Sequence, residues 1–201
     1  MPSFTRRAIM EAFMQLLNER PVSKIAVKDI VELCGINRNT FYYHFQDKYD
    51  LIERIFKREV LAPLMPLLEN NMITEMTLLI FKNLEKEKNF YRRLSHMEGQ
   101  NSFGEIVQRS IQEALLTYME ENIAEESRVV LKKHFGWLGL DQIANYYAST
   151  MTFVVLNWIQ TEMDVTPEEV TKVADMIFKL SLKDVIDIIK TGDLEIGNLS
   201  L

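Results

Sequence analysis

Nearly every long stretch of this chain sets its apolar residues three and four apart rather than alternating them in twos. Such spacing lines one face of an α-helix, whereas a half-buried strand needs a period of two. Only seven glycines and five prolines interrupt 201 residues, so the expected fold class is all-α. Ile9, Ala12, Phe13, Leu16 and Leu17 mark a first helix that stops before Pro21, where proline cannot continue it. Val27, Ile30, Val31 and Cys34 mark a second of about two turns, followed by Gly35 at the place of a left-handed cap. Asn37 then caps a third helix carrying Phe41, and Asp47 caps a fourth, with Asp50 in capping-box position. That fourth helix, 47–65, should connect a small domain, 1–50, to a larger one, 51–201, and end near Pro63 and Pro66.

Further helices are expected over 73–87, 89–98, 103–124 and 127–135, with turns at Gly99 to Ser102 and Gly136 to Asp141. From Asp141 to Met163 the chain is apolar nearly all round, so neighbours must cover every face. Thr166-Pro167-Glu168-Glu169 opens a last helix through Val170, Val173, Ala174 and Ile177, continuing past Val185, Ile188 and Ile189 to Gly192. A partner copy would supply the missing cover, with Val154, Val155, Trp158, Val170, Val173 and Ile177 as the expected homodimer face. Phe81, Tyr91, Phe103, Tyr118, Tyr147 and Met151 could line an apolar pocket for a small-molecule effector, though each serves equally as core.

Charge divides the chain. Residues 1–60 hold ten Lys/Arg against eight Asp/Glu, and 61–201 hold thirteen against twenty-one, giving +2 and −8 within a total of −6. A mildly basic head on an acidic body remains compatible with DNA, since local charge sets the binding face. The single cysteine, Cys34, forms no intrachain disulfide and reads as a small buried hydrophobe; with no signal-peptide pattern, a cytoplasmic location is expected. No apolar run approaches the length of a membrane span. His44, His96 and His134 lack metal-ligand spacing, and neither a Gly-x-Ser-x-Gly elbow nor a phosphate loop occurs, so no metal, cofactor or catalytic activity is expected.

The informative stretch is 24–51. Two short helices meeting at a glycine turn form a helix-turn-helix, whose second helix enters the major groove by its N-terminal end. There Asn37, Arg38, Asn39 and Thr40 offer hydrogen-bonding groups, Arg38 matching guanine O6/N7 and Asn39 adenine N6/N7. Tyr42, His44 and Lys48, further along, suit phosphate oxygens, Lys28 at the start of the second helix is another candidate, and Tyr43 is a DNA-contact candidate beside them. Phe41 and Phe45 already fill the apolar positions, which frees the tyrosines for contact.

Ile25-Ala26-Val27-Lys28-Asp29-Ile30 followed by Cys34-Gly35-Ile36-Asn37-Arg38-Asn39-Thr40-Phe41-Tyr42-Tyr43-His44-Phe45-Gln46-Asp47-Lys48-Tyr49-Asp50-Leu51 resembles the signature of the TetR family over about a quarter of the chain. The resemblance implies a DNA-binding transcriptional regulator, usually a repressor of a palindromic operator. It also implies dimerisation through the last two long helices and a C-terminal domain whose small-molecule ligand releases DNA. Phe45-Gln46-Asp47-Lys48-Tyr49 is similar to a subgroup that includes regulators of dihydroxyacetone-kinase operons, some of them activators working with a protein partner. One departure stands out: Ala26 occupies the position where the family usually caps the second helix with a hydroxyl.

Overall fold

The computed structural model describes residues 4–174, and within them the chain is helical with no strand. The order is α1 (Phe4–Glu19), a 3-10 turn (Val22–Lys24), α2 (Val27–Cys34), α3 (Arg38–His44) and α4 (Lys48–Phe56). A π turn (Lys57–Leu61) and a 3-10 turn (Ala62–Leu64) lead into α5 (Met65–Glu69). The body follows as α6 (Ile73–Lys86), α7 (Lys88–Ser95), α8 (Phe103–Asn122), α9 (Glu125–Phe135) and α10 (Leu140–Gln160). A final helix, α11, is described over 167–174. Ile177, Val185, Ile188, Ile189 and Gly192 lie outside the described residues.

Periodicity and caps fix the early helices where expected. Ile9, Phe13 and Leu17 of α1 meet Ile30 of α2, Phe41 of α3 and Phe45 in one core, each almost wholly buried. The connecting helix differs from its expectation: it does not stop at the prolines but stays helical to Glu69. Pro63 and Pro66 sit in the first turns of the short helices that follow the π turn, where a missing N–H costs nothing. The π turn itself has a packing reason. Leu51, Ile52, Ile55 and Phe56 before it and Val60, Leu61, Leu64 and Leu68 after it are all buried. An uninterrupted helix would carry the second group round toward solvent; one extra residue in the turn resets the rotation by about 100° and returns it to the core.

In the body, α8 and α10 form the main packed pair. Gly104 permits this closeness, because a Cβ there would stand 2.9 Å from Leu156 Cδ1. A polar seam runs along the pair: Gln108 Nε2 donates to Asn145 Oδ1 (3.1 Å) and Ser149 Oγ (3.0 Å), and Gln112 Nε2 to Asp141 Oδ1 (2.8 Å). Charged groups join α4 to α8. Glu53 accepts from Lys57 (2.7 Å) and from Arg109 (2.7 Å), and Lys57 reaches on to Glu113 (2.6 Å). Burial pushes the Glu53 carboxyl up, but the hydrogen bonds and charges of Lys57 and Arg109 outweigh it and hold the group below its ordinary value. Among the described residues no helix is long and apolar enough to cross a membrane.

Candidate nucleic-acid interface

The turn between α2 and α3 is built on Gly35, whose φ of 68° is left-handed. Its N–H and that of Ile36 donate back to the carbonyls of Glu32 and Val31, closing the end of α2. Asn37 Oδ1 then accepts from Thr40 N (2.8 Å) and Thr40 Oγ1 (3.1 Å). Asn37 is thus the cap of α3, its carbonyl oxygen and the Thr40 hydroxyl both engaged with each other. The side chains of Arg38 and Asn39, in the first exposed turn, make no hydrogen bond or ion pair with any other described residue. They are the free polar groups at the end of the helix that such motifs insert.

The aromatic residues separate cleanly. Phe41 and Phe45 are buried, whereas Tyr42 is 54% and Tyr43 84% exposed. Tyr42 packs edge-on against Phe41 at 5.5 Å, which holds its ring against the core while more than half of the residue stays in solvent. His44 is half-buried, stacked edge-on to Tyr43 at 4.9 Å, and its Nδ1 is enclosed without a hydrogen-bond partner. Lys28 is exposed, 3.6 Å from Glu32 on its own helix.

Lys48 is engaged within the protein itself. Its Nζ donates to the carbonyls of Val22 (2.8 Å) and Ile25 (3.0 Å), tying the start of α4 to the turn that precedes α2. Burial lowers its pKa, against the opposing pull of Asp47. Asp47 caps α4, accepting from Tyr49 N (2.7 Å) and Asp50 N (2.8 Å), while Asp50 accepts from Gln46 N (2.8 Å). Ala26, which lacks a capping oxygen, is compensated in part: its N–H donates to Asp29 Oδ2 (2.7 Å). That hydrogen bond, aided by Arg20, holds the Asp29 carboxyl below its ordinary value.

In the body, Phe81, Tyr91, Phe103, Tyr147 and Met151 are buried and Tyr118 is half-buried. They pack as core: Tyr91 and Phe103 meet at 5.9 Å, Phe103 and Phe56 at 6.0 Å, and Phe81 stacks on Trp158 at 5.1 Å. Burial pushes the Tyr91 phenol strongly up. The expected dimer face needs correction. Val155 is wholly buried and Trp158 is 3% exposed, its Nε1 donating to Val165 O (2.9 Å), so both belong to the protomer's own core. Val170 is buried too, Val154 is half-buried and Val173 is exposed. The apolar side chains of α10 left in solvent are Tyr146 and Phe153, the latter 69% exposed, on a stripe with Thr150 and Asn157. Their one-turn spacing was visible in the sequence, but periodicity cannot say which side of an all-apolar helix its own protomer takes. No group of three or more metal-ligating side chains gathers among the described residues.

A helix-turn-helix with free polar groups in the first turn of its second helix, set on a helical body, defines a class of DNA-binding regulators. Residues 9–55 match the model for bacterial regulatory proteins of the tetR family, and residues 71–180 match that for a TetR transcriptional regulator C-terminal region. The chain belongs to the TetR family, whose members are DNA-binding transcriptional regulators rather than enzymes. It is 27% identical over 90 residues to the dhaKLM operon transcriptional activator DhaS of Lactococcus lactis, covering 45% of this chain and 48% of that protein. It is 37% identical over 54 residues to the transcriptional repressor BepR of Brucella suis, covering 27% and 26%. The matches thus span less than half the length of these curated relatives. A crystal structure assigned to the family, from Syntrophomonas wolfei, superposes with a TM-score of 0.60 at 15% identity, over 98% of this chain and all of that one.

Proposed function

We propose that this protein is a dimeric, sequence-specific regulator of transcription that acts in the cytoplasm by occupying a near-palindromic operator as a repressor. The observation that carries the reading is the pair Arg38 and Asn39, exposed and without partners at the start of a helix whose cap and core are otherwise complete. Arg38 reads a guanine and Asn39 an adenine, while Tyr42, Tyr43 and Lys28 hold phosphates and fix the register. Lys48 acts as a positioning residue that clamps the turn before α2. Two copies join through α10 and α11, with Tyr146, Phe153 and Val173 at the contact, and present their α3 helices to successive major grooves. A small apolar molecule entering the aromatic core around Phe81, Tyr91, Phe103, Tyr147 and Met151 would shift the spacing of the heads and lower DNA affinity.

A second reading has its own support. The likeness to an operon activator and the exposed Val129, Val130 and Trp137 on and after α9 favour activation through a protein co-regulator. Selection from a random DNA pool at fixed salt tests the primary claim: a recovered palindrome supports it, and no enrichment by the folded dimer refutes it. With that site upstream of a reporter, falling expression supports repression and rising expression supports the second reading. Arg38→Ala should blur preference at one base position, whereas Tyr42→Phe should weaken all sequences alike.

A further inference from the structure

A cleft of about 520 Å³ opens where α1 of the head meets α7 of the body. The joint beside it is apolar, with Phe13 and Phe90 edge-to-face at 6.2 Å and both buried. Among the described residues its lining is wholly polar: Asn18 from α1, and Asn89, Arg92, Arg93 and His96 from α7. None of these is acidic and three are basic, although residues 61–201 carry a net charge of −8. Arg92 is ion-paired with Glu162, which ties α7 to the turn after α10. The side chains of Arg93, His96, Asn18 and Asn89 make no hydrogen bond or ion pair with any described residue.

The basic residues alone have an ordinary explanation, since cations in the last turn of a helix offset its dipole. That accounts neither for the concavity nor for Asn18, which comes from a different element. We propose that the cleft binds a small polyanion, a polycarboxylate or a phosphate ester. The Arg93 guanidinium offers paired donors to carboxylate or phosphate oxygens, and the two asparagine amides and His96 offer hydrogen bonds around them. The volume is that of a small-molecule site, and its hollow shape suits a compact ligand rather than the convex backbone of a duplex. A bound anion touches head and body at once. On the reading of the protein as a DNA-binding regulator, it therefore biases the angle between them wherever it prefers one arrangement.

The binding step is tested without DNA. The full chain is melted with citrate, with pyrophosphate, and with sodium chloride at matched ionic strength. A saturating rise in Tm of about 5–10 °C at a hundredfold excess over Kd is expected with at least one anion and not with chloride. A response to citrate alone assigns a polycarboxylate, to pyrophosphate alone a phosphate ester. The double variant Arg93→Gln/His96→Gln, both exposed positions, should melt like the parent and lose the response. Asn18→Asp, which places a carboxylate in the cleft, should weaken anion binding at least tenfold. An equal rise with chloride, or an undiminished response in both variants, overturns the proposal. So does a double variant that keeps its anion response but loses affinity for a random duplex with a shallower salt dependence, which would make the patch a DNA contact. If anions bind and no operator is recovered, the site stands and the regulatory reading falls.

Discussion

Replacing Lys48 by methionine keeps the length of the side chain and removes the ammonium that joins α4 to the carbonyls of Val22 and Ile25. Hydrogen bonds from a charged donor contribute about 1.5–3 kcal/mol each when fully enclosed. This ammonium is only half-buried, so water replaces part of the loss, and about 1 kcal/mol per bond, or ~2 kcal/mol for the pair, is the expected cost. For a chain of this length that lowers Tm by roughly 4–8 °C. DNA binding should weaken at every sequence, because the turn that aims α2 is loosened. The dependence of affinity on salt separates this role from a phosphate contact. Losing a phosphate-bound cation reduces the slope of log K against log salt by about 0.9, whereas losing an internal clamp leaves it unchanged. Calorimetric melting and anisotropy titrations at several salt concentrations read both quantities. An unchanged Tm with a slope reduced by about one would refute the clamp and restore Lys48 to the DNA backbone.

Three other perturbations follow from the geometry. Phe153→Glu places a charge on the exposed stripe of α10 and should give a folded monomer in sedimentation. Val155→Ala, in the core, should instead cost about 2 kcal/mol without dissociating the dimer; the opposite pattern would return the interface to Val155. Ala26→Ser adds a capping oxygen to a residue already extended at φ −100° and ψ 157°, and should raise stability in urea by about 0.5–1 kcal/mol. A decrease would mean that Asp29 already completes the cap. Glu53, with a folded pKa below its ordinary 4.5, contributes stability that is complete above that value and lost as pH falls through the lower folded one. Glu53→Gln should therefore flatten the acid limb of the stability profile, and an unaltered limb in pH-dependent melting would rule out this contribution.

Residues with strong local signals were legible before the structure. Gly35, Asn37 and Asp47 mark helix ends by backbone chemistry that needs no distant partner, and Phe41 against Tyr42 separates buried from exposed within one turn. What depends on distant groups was not. The commitment of Lys48 to Val22 and Ile25 crosses more than twenty residues. The outward side of α10 depends on where α8 packs, and prolines 63 and 66 read as stops although short helices accommodate both. Arg92-Arg93 was visible as a charge doublet, but only the fold brings Asn18 beside it.

The π turn at Lys57–Leu61 has a consequence for how such a molecule is altered. Removing one residue from it converts the segment into ordinary α-helix, with every hydrogen bond of the helix still available. Because the π turn spends its extra residue without adding rotation, the helix on each side would keep its bearing, and both buried groups would still face the core. The aim of the head is therefore held by the hydrogen-bond pattern of the joint and not by its residue count, so a single-codon deletion there is tolerated where the same deletion inside α4 would turn one apolar face out of the core.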